Sequence, residues 1–291
     1  MDYLRQGHAE YPLRIGHEWT GRVSTLGAGV DSSWLDKRVT GDTMLGCGTC
    51  ERCLRGHHHI CDFRHEVGIR GGWHGALAEQ LVVPVTALHE IPASVSLAAA
   101  ALVEPGGCAV RSVKAAELEP GQRLLIFGSG TIGLLAIQFA IACGVEVHVV
   151  GIDEPSLELA RSFGANETQL GTADPNTNFD AVIDATSDAS VPASSLRHVS
   201  PGGRVVLVGI AGEPSLIDSR GITLGDVTVV GILGGSAGIG EAINAYADGR
   251  VVPDALVSEV INLEEVGSRL AGERGPDAGP GPKVHVDPRA V

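Results

Sequence analysis

A chain of 291 residues is long for one compact domain, since domains commonly hold about 100 to 200 residues, and it points to two. Its 44% hydrophobic and 19% charged residues exclude a disordered or fibrous chain, and with aromatic residues at only 4% the cores fall to Val, Leu, Ile and Ala. A formal net charge of −14 excludes an open phosphate-tracking surface, so no nucleic-acid partner is expected. No apolar run approaches the roughly 18 to 20 residues that span a bilayer, and the opening MDYLRQGHAEYP lacks an apolar signal core, so no membrane partner and a cytoplasmic location are expected.

In chain order, the N-terminal part reads as short strands and loops. RIGHEWTGRVSTLG, DKRVTGDTM and GALAEQLVVP cluster β-formers between Gly and Pro, which predicts a mostly β unit over residues 1–112. From Pro120 the pattern becomes α/β. The strand RLLIF, a glycine-rich turn, the apolar helix LLAIQFAIACG and the strand VEVHVV make one βαβ unit. The helix SLELARSFGA, the strand FDAVIDATS, an alanine-rich stretch and the strands GRVVLVGI and VTVVGILGG continue it. Such alternation predicts a doubly wound parallel sheet of the Rossmann type over residues 113–241. In the C-terminal segment, 242–291, helices are expected over GIGEAINAYADGRV and VSEVINLEEVGSRLAG, and the tail GPDAGPGPKVHVDP is expected to return to the first domain.

Cys47, Cys50, Cys53 and Cys61 crowd into CGTCERCLRGHHHIC. Four thiolates at such spacings wrap one zinc tetrahedrally and leave no position for water or substrate, so the site is structural. The alternatives are an iron–sulfur cluster or two disulfides, the latter typical of small secreted chains. His57, His58 and His59, inside the loop, read as solvated. The second signal is Gly128, Gly130 and Gly133, with Thr131 and Ile132, placed between RLLIF and an apolar helix. There the glycines permit a tight turn, close approach to a pyrophosphate and close helix packing, which predicts dinucleotide binding. Asp153 stands 20 residues after Gly133, where a carboxylate bonds ribose hydroxyls and repels a 2′-phosphate, favouring NAD. Counting back from SLELARSFGA puts Gly151 at that position instead, which leaves NADP open. Asp184 and Gly209, at strand ends, are further candidates for cofactor contact or for simple capping. The third signal is the string Gly16-His17-Glu18 with Glu104-Pro105 far along the chain; imidazole and carboxylates suit a catalytic zinc, and His17 suits an ordinary strand position equally well.

The order GHE, four-cysteine lobe, GALAEQLVVP, LVEPGGCAV and glycine fingerprint, over essentially the whole chain, resembles the zinc-dependent medium-chain dehydrogenase/reductase family of alcohol, polyol and threonine dehydrogenases. The resemblance implies a GroES-like catalytic domain formed by residues 1–112 and 242–291 around the Rossmann domain. It implies His17 and Glu104 as catalytic-zinc ligands, Glu18 as the acidic neighbour of the zinc or its water, and Cys108 as a rival ligand. The implied reaction moves hydride between a secondary alcohol or polyol and NAD(P), with zinc lowering the pKa of the substrate hydroxyl, in a homo-oligomer (dimer or tetramer). In that family a cysteine ligand, followed closely by a Ser or Thr that hands on the substrate proton, precedes GHE. Here no cysteine stands before His17, and Asp2 and His8 are the only nearby substitutes. The expectation is therefore a GroES-like domain truncated at its N-terminus, without its opening strands, first zinc ligand or proton relay, and with turnover impaired. Two other functions compete: a zinc-free quinone or enone reductase on the same fold, and a non-catalytic dinucleotide-binding protein that keeps the structural zinc.

Overall fold

The structure, a computed structural model, describes residues 9–290. Asp2 and His8 lie outside them. Two compact units emerge: one runs to Gly107 and takes up Gly234–Gly279 and the segment from Lys283, the other comprises Cys108–Leu233 with Pro280–Pro282.

The first unit opens with β1 (Thr20–Arg22), β2 (Arg38–Gly41), β3 (Met44–Leu45), α1 (Glu51–Leu54), β4 (His65–Glu66) and β5 (Leu88–Glu90). β2 sits between β1 and β5, antiparallel to both, with Thr20 opposite Thr40 and Val39 opposite Glu90. GALAEQLVVP, expected as a strand, forms none. Its start bonds residues 14–16 instead, through the amides of Gly75, Ala76 and Leu77, and the ladder stops there. Two short helices follow, α2 (Leu97–Ala101) and α3 (Val103–Ala115). α3 tolerates Pro105 because its first turn needs no amide donor.

The second unit holds β6 (Arg123–Phe127), α4 (Thr131–Ala142), β7 (Glu146–Gly151), α5 (Glu154–Ser162), β8 (Glu167–Leu170), β9 (Phe179–Asp184), α6 (Val191–His198), β10 (Val199–Leu207), α7 (Ser219–Leu224) and β11 (Thr228–Gly231). The strands form one parallel sheet in the order β11-β10-β9-β6-β7-β8. The chain leaves the sheet centre at β6 in one direction and returns to β9 on its other side, and that reversal creates the crevice in which doubly wound sheets bind nucleotides. Leu124, Ile126, Val147, Ala181, Ile183 and Val206 are fully enclosed. α4 is buried from Gly133 to Ala140, which is why its sequence there, Gln138 apart, is apolar all round.

The C-terminal segment returns to the first unit with α8 (Ile239–Ala247), β12 (Val257–Ile261), α9 (Val266–Leu270) and β13 (Lys283–Val286). β12 pairs in parallel with β13. The helix expected over VSEVI does not form; its β-branched Val257, Val260 and Ile261 and the partner strand KVHV make it extended.

Candidate metal and dinucleotide sites

The cysteine lobe places Cys47 just after β3, Cys50 as the cap of α1, Cys53 inside α1 and Cys61 after a short 3-10 turn. The four sulfur atoms lie within 4.8 Å of one another, Cys47 to Cys53 at 3.9 Å and Cys50 to Cys61 at 3.8 Å. A zinc–sulfur bond of about 2.3 Å makes a tetrahedron with edges of about 3.8 Å, so the donors fit a single zinc. All four thiols are free, which removes the disulfide alternative. Amide groups of Cys50, Cys53 and Phe63 donate to the sulfurs of Cys47, Cys50 and Cys61. Hydrogen bonds from Thr49, then from the Cys50 amide, bring the Cys47 thiol down to about 6, while burial first of all pushes Cys53 up to about 12. A metal ion bound here would replace these protons.

The three histidines of the lobe do not share one solvated state. His57 is exposed, His59 is buried, and His58 is half-buried with Nε2 at 2.7 Å from Asp42 Oδ2. Packing of the 3-10 turn against β3 draws His58 and His59 inward. The Asp42 hydrogen bond, working against burial, raises the pKa of His58, and His89 on β5 is the other histidine in the field of Asp42. A raised folded-state pKa adds stability that is complete below about pH 6.5 and is lost as pH rises through the folded value. The Tm of the protein is therefore expected to fall as pH rises above about 6.5 more steeply than that of His58→Gln; parallel curves contradict the pairing.

The second donor group joins residues far apart in sequence: one nitrogen of His17 and one carboxylate oxygen each of Glu18 and Glu104, within 4.8 Å of one another. His17 and Glu18 follow the segment that pairs with residues 75–77, and Glu104 projects from the first turn of α3. Two ligands of an ion at about 2.1 Å stand at most about 4.2 Å apart, so small side-chain rotations close this set on one zinc. Burial lowers the pKa of His17, which keeps its imidazole neutral and able to ligate. Burial and then the neighbouring Glu18 charge push Glu104 up to about 8, and the Gly235 amide, donating to Glu104 Oε1 at 3.3 Å, opposes them. Burial also acts to raise Glu18, but the ion pair with Lys283 and the nearby His17 outweigh it and hold the carboxyl low. Cys108, the rival donor, is not in this group. Lys283, on β13, escaped the sequence reading because nothing local marks a lysine 265 positions from its partner.

In the second unit the chain passes from β6 through Gly128, Ser129 and Gly130 into α4. Gly130 caps the helix without a side-chain bond, so first-turn amides remain available to an anion. A Cβ on Gly133 would stand 1.9 Å from the Gly128 carbonyl oxygen; the helix can lie this close to the turn only with glycine there. β7 ends at Gly151, and Asp153 lies two residues on as the cap of α5, accepting from the Ser156 amide at 3.0 Å and the Ser156 hydroxyl at 2.8 Å. Ser129 reaches over Gly151 to Ser156, oxygen to oxygen 2.6 Å, and a Cβ on Gly151 would meet the Ser129 hydroxyl at 2.3 Å. Asp184 ends β9 and accepts from the amide and hydroxyl of Thr186, with burial raising its pKa; the Gly209 amide donates to its carbonyl.

Family models match both parts of the chain: the alcohol dehydrogenase GroES-like domain over residues 1–93 and the zinc-binding dehydrogenase over residues 131–248. An L-threonine 3-dehydrogenase of Coxiella burnetii is 30% identical over 234 residues, covering 77% of this chain and 68% of that protein. Among solved structures, a zinc-binding dehydrogenase from Sinorhizobium meliloti 1021 bound to NADP is 28% identical, with a TM-score of 0.88 over 98% of this chain and 86% of that one. An alcohol dehydrogenase from Thermus sp. ATN1 is 27% identical, with a TM-score of 0.87 over 98% and 89%. On these matches the chain belongs to the zinc-dependent medium-chain dehydrogenase/reductase family.

Proposed function

We propose that this chain is a zinc-dependent oxidoreductase that moves hydride between a secondary alcohol or polyol and NAD(P). The observation that carries the reading is the convergence of His17, Glu18 and Glu104, outside the cysteine lobe, in a chain that also holds the glycine fingerprint. A zinc ion bound there supplies Lewis acidity toward a substrate oxygen, and the dinucleotide supplies the hydride acceptor. His17 offers a neutral nitrogen and Glu104 a buried carboxylate, 7% exposed, that would give up its proton to hold the ion. Glu18, held by Lys283, keeps a charged acceptor beside them that binds the ion or a water. The α4 N-terminus would hold the pyrophosphate through its first-turn amides. Hydroxy compounds with a secondary carbinol, L-threonine among them, form the substrate class to assay, and NAD+ reduction is the readout. An enone reductase instead oxidises NADPH with enone or quinone acceptors and leaves alcohols untouched.

NAD is expected to be preferred. Asp153 stands two residues past the end of β7, and Arg161, the next basic residue in sequence, is paired with Glu154 at 2.7 Å, so a 2′-phosphate at that position would meet a carboxylate. The expected preference is on the order of 1 to 3 kcal/mol, roughly 5 to 150-fold. Tighter NADP in a titration assigns the position to Gly151, with the Ser129 and Ser156 hydroxyls facing the phosphate.

A further inference from the structure

We propose that Asp42 is a positioning residue for the Glu104 carboxylate, acting through Ser236 and Gly235, and that through His58 it ties that carboxylate to the cysteine lobe. The inference rests on the reading that His17, Glu18 and Glu104 hold a metal. Asp42 follows β2 and is 5% exposed, a place where an ionised carboxylate is costly unless its oxygens are bonded. Three segments meet on it. Oδ1 accepts from the Met44 amide at 2.9 Å and from the Ser236 hydroxyl at 2.8 Å, while Oδ2 meets His58 at 2.7 Å. Ser236 adjoins Gly235, whose amide donates to Glu104. The same loop is confined from two sides: a Cβ on Gly107 would fall 2.5 Å from the Gly235 carbonyl oxygen, and one on Gly234 would fall 2.9 Å from the Met44 methyl. The loop can therefore present its amide to Glu104 only where Asp42 holds it, and Asp42 is in turn oriented by a histidine lying between Cys53 and Cys61. Groups that bond a ligand carboxylate set its geometry, and losing them costs about 10 to 100-fold in metal affinity.

The test uses the full chain with zinc in the cysteine lobe and Co2+ titrated into the remaining site, followed by its visible absorption. Zinc content and thermal unfolding are measured alongside. Asp42→Ala and Ser236→Ala are expected to weaken Co2+ binding about tenfold or more, while the lobe keeps its zinc. Asp42→Asn retains an Oδ1 acceptor for Met44 and Ser236 and is expected to stay within about threefold of the parent, whereas His58→Ala falls between them. Unchanged affinity in Asp42→Ala and Ser236→Ala, whatever the Tm, overturns the proposal. An equal loss in Asp42→Asn and Asp42→Ala overturns the route through Ser236, and unchanged affinity in His58→Ala overturns the link to the lobe. Ser236→Ala removes a single loop hydroxyl and keeps the test decisive where Asp42→Ala does not fold. A parent chain that takes up no Co2+ beyond the lobe overturns the metal reading itself, and the proposal with it.

Discussion

Cys50→Ser is expected to cost the protein one zinc and to lower its Tm sharply. The lobe has almost no apolar core of its own: α1 spans Glu51–Leu54 without a buried residue, and Leu54 and Phe63 are exposed. A helix of one turn is unstable alone, so the ion must supply the folding free energy of the segment. Cys50 contributes twice, through its thiol to the sulfur cluster and through the same sulfur as cap to the Cys53 amide. A loss on the order of 3 to 5 kcal/mol is expected, about 6 to 20 °C in Tm for a unit of this size. Cys143→Ser is the control. That cysteine is exposed at the end of α4, and its exchange is expected to change stability by less than about 0.5 kcal/mol. Unchanged zinc content and Tm in Cys50→Ser would falsify the structural assignment of the lobe.

Gly133→Val and Gly130→Val are expected to abolish dinucleotide binding by different routes. At Gly133 the new side chain collides with the Gly128 carbonyl, a backbone atom that cannot rotate away, so α4 must leave the turn and both stability and binding suffer. At Gly130 a Cβ meets nothing within 4 Å and the backbone φ is −82°, so the fold accepts valine. The side chain instead occupies space in front of the α4 amides, where the pyrophosphate comes to rest. Affinity is expected to fall at least about 100-fold in both, or about 2.7 kcal/mol, with Tm lowered only in Gly133→Val. Full affinity in Gly130→Val means that the anion is held elsewhere.

Which parts of this were legible in sequence follows from how local their causes are. RLLIF, its glycine turn and the apolar helix announce themselves because strand, turn and helix are adjacent, and the four sulfurs because short spacings bring them together. β8, Glu167–Leu170, carried no such signal: it is a short edge strand, polar at Glu167 and Gln169, and it takes its conformation from pairing with β7. VSEVI looked helical because a short apolar run suits either period, and only its partner 25 residues later decides. The ion pair of Glu18 with Lys283, and the bond of Ser236 to Asp42, join residues 265 and 194 positions apart, which no periodicity encodes. Asp153 is the opposite case, a local signal with two causes. Its spacing from the fingerprint suits a ribose ligand, its carboxylate also caps α5, and the two roles look the same in sequence.

The central claim is that His17, Glu18 and Glu104 hold a zinc ion that alcohol oxidation needs. The most direct measurement compares zinc content, NAD binding and alcohol-dependent NAD+ reduction in the parent chain and in His17→Ala. Where the sequence alone implies impaired turnover for want of a cysteine before His17, the structure brings Glu18 in as a third donor, so the parent is expected to hold one zinc beyond the lobe ion and to reduce NAD+ with a secondary alcohol. His17→Ala is expected to keep the lobe zinc and bind NAD as the parent does, while losing the other ion and roughly 1,000-fold or more of turnover. Equal zinc content and equal turnover in the two proteins would contradict the claim.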